Sequence, residues 1–345
     1  MISQKFFGIN TIFWIGVVES RDDSKASDKF KLGRVQVRIL GFHSEKLEED
    51  DASGEGIPRE KLPWAYPINS ITSASMNGVG QTPLGVVEGT WVVGISLDGP
   101  AMQDLYILGT LGGLPQEIAN TQSGFSDPSG CFPRKDFLKE EDTNRLARND
   151  SKKKHPMLAA KEKLRKKDIE IANPGAKRPK WSEPSSPYQA KYPYNHVYES
   201  EHGHIKEIDD TPEDDSGSGG PRTLDWHPTG TYTEVHKDGS KVQKIKGESF
   251  EIVLSNKNLY VKGDLNITVD GDARLLVKGN CITEVEKDII FESSETILLK
   301  ADKNLVVAAK DMQILAENSI TMIAGGPFVA IGNNSSAADL SMGSI

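Results

Sequence analysis

Cysteine is scarce in this 345-residue chain, with only Cys131 and Cys281. They lie far apart in different regions, so no disulfide framework is implied, and assembly in a reducing cytosol is the simpler expectation. Aromatic residues make up 7% and hydrophobic residues 37%, beside 32 glycines. That balance is lean for one large enzyme core and ordinary for a repeat-rich all-β protein. Long apolar runs are missing: none approaches the roughly eighteen residues of a membrane-spanning helix. The N-terminus has no charged stretch followed by a long apolar one, so a soluble protein without a signal peptide is expected. Excess positive charge is missing as well. The formal net charge is −9, which excludes the whole molecule as a general nucleic-acid binder.

Short strand patterns separated by Gly, Pro, Asn and Asp fill residues 12–115. Residues 12–18 form an apolar run, Val35, Val37 and Ile39 alternate with Gln36, Arg38 and Leu40, and 91–97 and 105–108 are two further runs. Several short strands within about a hundred residues predict a small barrel over 1–115. The stretch 116–192 reads as an extended linker. It opens with a Gly, Ser and Pro-rich loop. Within 139–183 it holds 14 Lys/Arg and 8 Asp/Glu, and the sequence predicts one short helix over 157–172. Residues 199–215 reverse the sign, with eight Asp/Glu against one Lys. The two runs either pair, within the chain or between neighbours, or stand as solvated runs of opposite sign. Turns at 227–230 and 237–240 sit beside strand patterns at 231–235 and 241–245. The whole of 193–258 reads as an entry region to the C-terminal repeat.

From 259 to 332 the pattern is a repeat of eight residues, with one step of seven between Ala309 and Ala316. Each segment places inward-type residues at alternate positions, the period of a strand with one buried face. The expected core comprises Leu265, Ile267, Val269, Leu275, Val277, Val285, Ile289, Phe291, Ile297, Leu299, Leu305, Val307, Ile314, Ile320 and Met322. Smaller residues such as Ala273, Cys281, Thr283, Ser293 and Ala301 fill the same face. Gly263, Gly271 and Gly279, each followed by Asp or Asn, are expected to turn the corners with positive φ. Three inward side chains per strand cannot close a core in one chain. An eight-residue step is also short for a single-chain coil, which needs about twenty residues or more per turn. A three-chain prism fits better: it shares one core, leaves no lateral strand edge, and advances roughly 40 Å over eight octads. Residues 333–345 are small and polar and read as a distal tip.

Several strings resemble the central spike proteins, the baseplate-hub and tail-lysozyme family, of T-even-like contractile-tailed phages. They are Gly16-Val17-Val18-Glu19, residues 31–38 (Lys-Leu-Gly-Arg-Val-Gln-Val-Arg) and 56–64 (Gly-Ile-Pro-Arg-Glu-Lys-Leu-Pro-Trp). Ile71-Thr72-Ser73-Ala74, Ile107-Leu108-Gly109-Thr110 and 124–130 (Gly-Phe-Ser-Asp-Pro-Ser-Gly) come next. Beyond the linker stand Tyr192-Pro193-Tyr194-Asn195, residues 203–207 and 209–212, and 227–232 (His-Pro-Thr-Gly-Thr-Tyr). The resemblance implies an N-terminal OB-fold and a C-terminal intertwined triple-stranded β-helix in a homotrimer. It also implies a lysozyme domain between them, for which the interval 132–194 is too short.

Glycoside hydrolysis needs two carboxyl groups held across a cleft. Glu162, Asp168 and Glu170 lie on a lysine-rich helix segment with no cleft, so no catalytic residue and no enzymatic activity are expected. His196, His202 and His204 are close enough to suggest a metal site, but local hydrogen bonding at a polar strand start is the preferred reading. No histidine follows His236, so no ion is assigned inside the repeat. Gly78, Gly80 and Gly85 lack the strand–loop–helix context and the lysine of a phosphate loop and read as turn glycines. Cys281 is a small core residue rather than a nucleophile. Lys152, Lys153, Lys154 and the basic run 161–167 are expected to dock against acidic protein surfaces rather than phosphate. No cofactor is expected.

The function implied is a structural spike in the virion's tail baseplate, assembled in the host cytoplasm. Its barrel would dock under a ring-shaped hub protein, and its far end would take a small tip-cap protein. It would pierce the bacterial envelope as the tail contracts, with no specific nucleic-acid partner. A spike of a phage-like secretion or injection system and a reduced tail lysozyme are the alternatives.

Overall fold

The computed structural model describes residues 4–6, 9–21, 33–44, 56–82, 85–112, 142–172 and 181–324. Cys131, the loop 116–135, the string 124–130 and the tip 333–345 lie outside the described residues, as do the side chains of Asp168 and Glu170. The chain divides into two units, Met1–Asp270 and Gly271–Ile345.

The first unit opens with a barrel. Its strands are β1 (Gln4–Phe6), β2 (Ile9–Ser20), β3 (Val35–Ile39), β4 (Trp64–Pro67), β5 (Trp91–Ser96) and β6 (Leu105–Thr110). Twelve-residue β2 is long enough to pair antiparallel with both β3 and β5. The circuit continues through β3–β4, a parallel β4–β6 pairing and β6–β5, so five strands close on themselves, with β1 added to β2 as a hairpin. Ile12, Trp14, Val18, Val35, Val37, Ile39, Val92, Leu105 and Ile107 fill the interior. Trp14 lies opposite Gly94. A Cβ at Gly94 would sit 2.2 Å from the indole, so only glycine lets that ring into the barrel.

The barrel also buries an ion pair. Arg38, fully buried, donates to both carboxylate oxygens of Glu19, which is 1% exposed. The same guanidinium donates to the carbonyls of Ser44 and, at 2.7 Å, Ile57. One side chain thereby fixes strand β2 and two loop carbonyls.

The stretch expected to be an extended linker folds in part. Helices α1 (Arg145–Arg148) and α2 (Pro156–Ala172) lie within it. Five strands come after them as a meander, β7 (Asn195–Glu199), β8 (Ile205–Asp209), β9 (Arg222–Trp226), β10 (Tyr232–Val235) and β11 (Lys241–Lys244), each pairing antiparallel with the next. Residues 193–258 are thus not merely an entry region, because 195–244 form a sheet with its own core. Leu146, Met157, Ile205, Leu224, Trp226 and Tyr232 are its buried members, with Leu158, Leu164 and Tyr188 packed against them. α2 begins at Pro156, where a missing N–H costs nothing. The His155 ring nitrogen Nδ1 accepts from the Met157 amide at 3.2 Å and caps the first turn.

Among the described residues no strand follows Lys244, and all of 245–324 is exposed. The backbone there bends in pairs of residues. The pairs begin at Lys246, Leu254, Lys262, Asp270, Lys278, Glu286, Ser294, Asp302 and Lys310, at intervals of eight, and then at Glu317 after an interval of seven.

Candidate functional site

The described residues hold two arrangements able to carry function, a buried charge cluster on the five-stranded sheet and the bent octad segment. In the sheet, residues at alternate positions of β8, β9 and β10 face α1, α2 and the strand-free stretch 181–194. Several of those inward residues are charged. Arg222 of β9 lies 2.6 Å from Glu207 of β8, 3.8 Å from Asp209 and 3.0 Å from Glu234 of β10. Lys161, projecting from α2, reaches the other oxygen of Glu234 at 2.5 Å. Ser186 donates to Glu234 at 2.7 Å, and His236 stands 3.0 Å from it. All four charged partners of this group, Glu207, Asp209, Arg222 and Glu234, are buried, as is Lys161.

Burial acts to raise the Glu234 carboxyl. The charges of Lys161 and Arg222, with hydrogen bonds from Lys161 and Ser186, outweigh it and hold the group down at about 2. For Lys161 burial dominates and lowers its pKa, with Glu234 opposing. Burial pushes the Tyr188 hydroxyl up, and Glu207 adds to the effect. The charged members of the cluster are buried and bonded to one another. Its chemistry is that of a tie: removing one partner leaves an uncompensated buried charge.

Other bonds extend the tie over 142–194. Tyr188 donates to the Leu146 carbonyl at 2.8 Å, Asn149 to the Ala190 carbonyl at 2.9 Å, and Asn144 to Glu199 at 2.6 Å. Lys244 pairs with Glu183. Between the barrel and this sheet, Arg21 at the end of β2 pairs with Glu88 at 3.2 Å and donates to both oxygens of Glu201 in the β7–β8 turn.

Lys161 corrects one expectation. It belongs to the basic run thought to face a partner, yet it is spent inside the chain, on Glu234 rather than on the acidic run 199–215. In that run Glu207 and Asp209 turn inward to Arg222, while Asp214 and Glu213 pair with Lys191 and Lys237. Alternation alone places Glu207 and Asp209 on one face, a signal masked by their charge.

Glu162 is held ionised on the surface of α2, at about 2, chiefly by hydrogen bonds from Arg165. No described carboxylate faces it across a cleft. His196 and His202 are exposed. The His204 amide donates to Ser200, and the His204 ring packs edge-on against His227 at 4.8 Å. Among the described residues no group of three or more His, Cys, Asp or Glu is placed to hold a metal. Gly78, in the turn closed by the Met76–Val79 bridge, and Gly80, just after it, have positive φ, whereas Gly85 does not.

In the octads the fifteen expected core residues are all exposed in the single chain, Leu265 at 61% and Phe291 at 78% among them, and Cys281 is a free, exposed thiol. Bends fall at Lys262-Gly263, Asp270-Gly271 and Lys278-Gly279. The expected reason for those glycines does not hold, because none of the three has positive φ. A Cβ there would meet nothing within 4 Å, and Lys287 and Lys303 stand at equivalent bends further along.

The sequence comparisons agree with the barrel. A family described as the Gp5 N-terminal OB domain matches residues 41–187. Protein Gp5 of Vibrio phage KVP40 is 43% identical over 283 residues, covering 75% of this chain and 64% of that protein. The pre-baseplate central spike protein Gp5 of Enterobacteria phage T4 is 46% identical over 127 residues, covering 36% of this chain and 21% of that protein. The chain spans less than two thirds of the length of either relative.

Proposed function

We propose that the chain is a member of the Gp5 family of T4-like phage baseplate proteins, which it resembles over most of its length, and that it is a non-enzymatic, homotrimeric central spike. The observation that carries the reading is the recurrence of bends at eight-residue intervals through a segment whose alternate apolar residues find no core within one chain. Three copies would bury those residues together and pair every strand, giving a stiff rod. The barrel would seat under a ring-shaped hub protein. The tie between α2, Arg222 and the sheet would keep the block ahead of the rod intact while contraction drives the rod through the bacterial envelope for genome ejection. The far end would take a small tip-cap protein.

The missing lysozyme activity belongs to the same proposal. Glu162 is held ionised in an ion pair with Arg165, which suits it poorly to donate a proton to a glycosidic oxygen. Sedimentation and electron microscopy of the full chain test the spike directly: an elongated trimer is expected, and a globular monomer would overturn it. A zymogram on the same material is expected to stay blank, and cleared peptidoglycan would reinstate the lysozyme reading.

A further inference from the structure

The octads carry a second apolar column that the inward triplets do not explain. Between successive bends run spans of six residues, and Ile282, Ile290, Leu298 and Val306 each occupy the third place of one span. They alternate with the inward residues on either side, so they face away from the expected core. All four are at least 70% exposed in the single chain. The third place is Asn266 and Arg274 in the two preceding spans and Thr321 in the span after the seven-residue step; in the shortened span 312–316 the residue between the first two inward ones is Gln313. The column therefore begins where the corner glycines stop and ends where the repeat shortens.

Spans such as Ile289-Ile290-Phe291, Ile297-Leu298-Leu299 and Leu305-Val306-Val307 are continuous apolar runs. Strands that read this way carry apolar side chains on both faces. Whatever meets the outer ones must be narrow. Two residues after the first three members of the column stand Glu284, Glu292 and Lys300, and the adjoining bends carry Glu286, Lys287, Glu295, Asp302 and Lys303. A globular partner or a bilayer lying on this face would have to desolvate those charges. A strand of the same sequence stacked at about 4.8 Å would not, because like places then lie directly over one another.

We propose that Ile282, Ile290, Leu298 and Val306 form a cross-chain ladder on the outside of the rod, each packed beside the corresponding place in a neighbouring strand of a second copy of this chain. The inference rests on the trimeric reading above and adds to it. The rod is held from both faces between Ile282 and Val306, and from the inside alone in the preceding octads.

The test uses the full chain, sedimentation to read assembly, and the temperature at which the trimer dissociates in SDS. One variant combines Ile282→Thr, Ile290→Thr, Leu298→Thr and Val306→Thr, keeping strand preference while removing the apolar contact. A control combines Glu284→Gln, Glu292→Gln and Lys300→Gln. The ladder variant is expected to dissociate roughly 10 °C or more below the parent, and the control close to it. If the fourfold variant fails to assemble, Ile290→Thr alone is read in the same scan and is expected to lower the midpoint by roughly 3 °C. Parent-like dissociation of the fourfold or the single variant overturns the ladder. That holds also if the variant has lost flotation with phosphatidylglycerol vesicles, a result that would hand the column to lipid. A parent chain that sediments as a monomer overturns the trimer itself and is recognised before any variant is compared.

Discussion

In the barrel, Val35, Val37 and Ile39 alternate along β3 and are 1% exposed or less within one chain. In the octads, Leu305 and Val307 alternate in the same way and are 61% and 62% exposed. The local pattern is shared, so the period of two specifies a strand and its apolar face but not what closes over that face. In the barrel closure comes from one long strand, β2, pairing on both sides. In the octads a bend recurs every eight residues, and no described span forms a strand with another of its own chain. The difference lies in whether a strand finds its partners within its own chain, and it predicts separate sensitivities for the two regions.

The largest effect should come from charging the octad core. Leu299→Asp would place carboxylates against each other in a shared interior, a burden that hydrogen bonding cannot relieve. Complete loss of the trimer in sedimentation is expected, while circular dichroism and fluorescence of the barrel persist. A trimer that survives the change would show that Leu299 does not face a shared core.

Arg38→Ala should do the reverse and strike the barrel within each chain. It takes the guanidinium away from the buried Glu19 carboxylate and from the carbonyls of Ser44 and Ile57. A loss of about 3–5 kcal/mol is expected in denaturant unfolding of the barrel, with the octad bends untouched. Double substitution of Arg38 and Glu19 by apolar residues should recover much of that loss, since it removes both buried charges together.

How far the sequence discloses these regions depends on where the charges sit. The runs at 12–18, 35–39, 91–97 and 105–108 anticipate β2, β3, β5 and β6, because their inward residues are aliphatic. The sheet β7–β11 is half hidden. Its turns at 227–230 and 237–240 are legible, and the bonds from Gly230 to His227 and from Gly239 to His236 close them. Yet β8 and β9 put Glu207, Asp209 and Arg222 on the buried side, where a charge reads as a solvated face. Lys161 is illegible for the same reason, since its burial depends on a sheet more than thirty residues further along the chain. The corner glycines mislead in the opposite direction. Their sequence context suggests positive φ, while the backbone turns there with ordinary angles.

Acid should separate the charge cluster from the apolar octads. The Glu234 carboxyl is held at about 2, below its ordinary 4.5. Because the folded value is depressed, its contribution is complete above about 4.5 and drains away as pH falls towards 2. The sheet block should lose on the order of 2–3 kcal/mol across that window, read as faster amide exchange in β9 and β10. Glu234→Gln should flatten the dependence. An unchanged acid profile in that variant would place the titrating group elsewhere in the cluster.

The smallest effect expected is also the one that discriminates most finely between the two regions. Gly94 in the barrel cannot accept a methyl group, because the Trp14 ring and the Tyr106 carbonyl already occupy its space. Gly271 at an octad bend has ordinary φ, and a Cβ added there would meet nothing within 4 Å in its own chain. On backbone grounds Gly271→Ala should therefore stabilise slightly, by about 0.4–1 kcal/mol, through a less flexible unfolded chain. A rise of a few degrees in the temperature of trimer dissociation would assign the glycine no steric duty. A clear fall would mean that atoms of another copy crowd the corner, since this chain supplies none. The octads from Glu286 onward, where Lys287 and Lys303 take the corners, would then have to stand further apart at their edges than those before Gly279, and the change of corner residue would mark a change in the rod's cross-section.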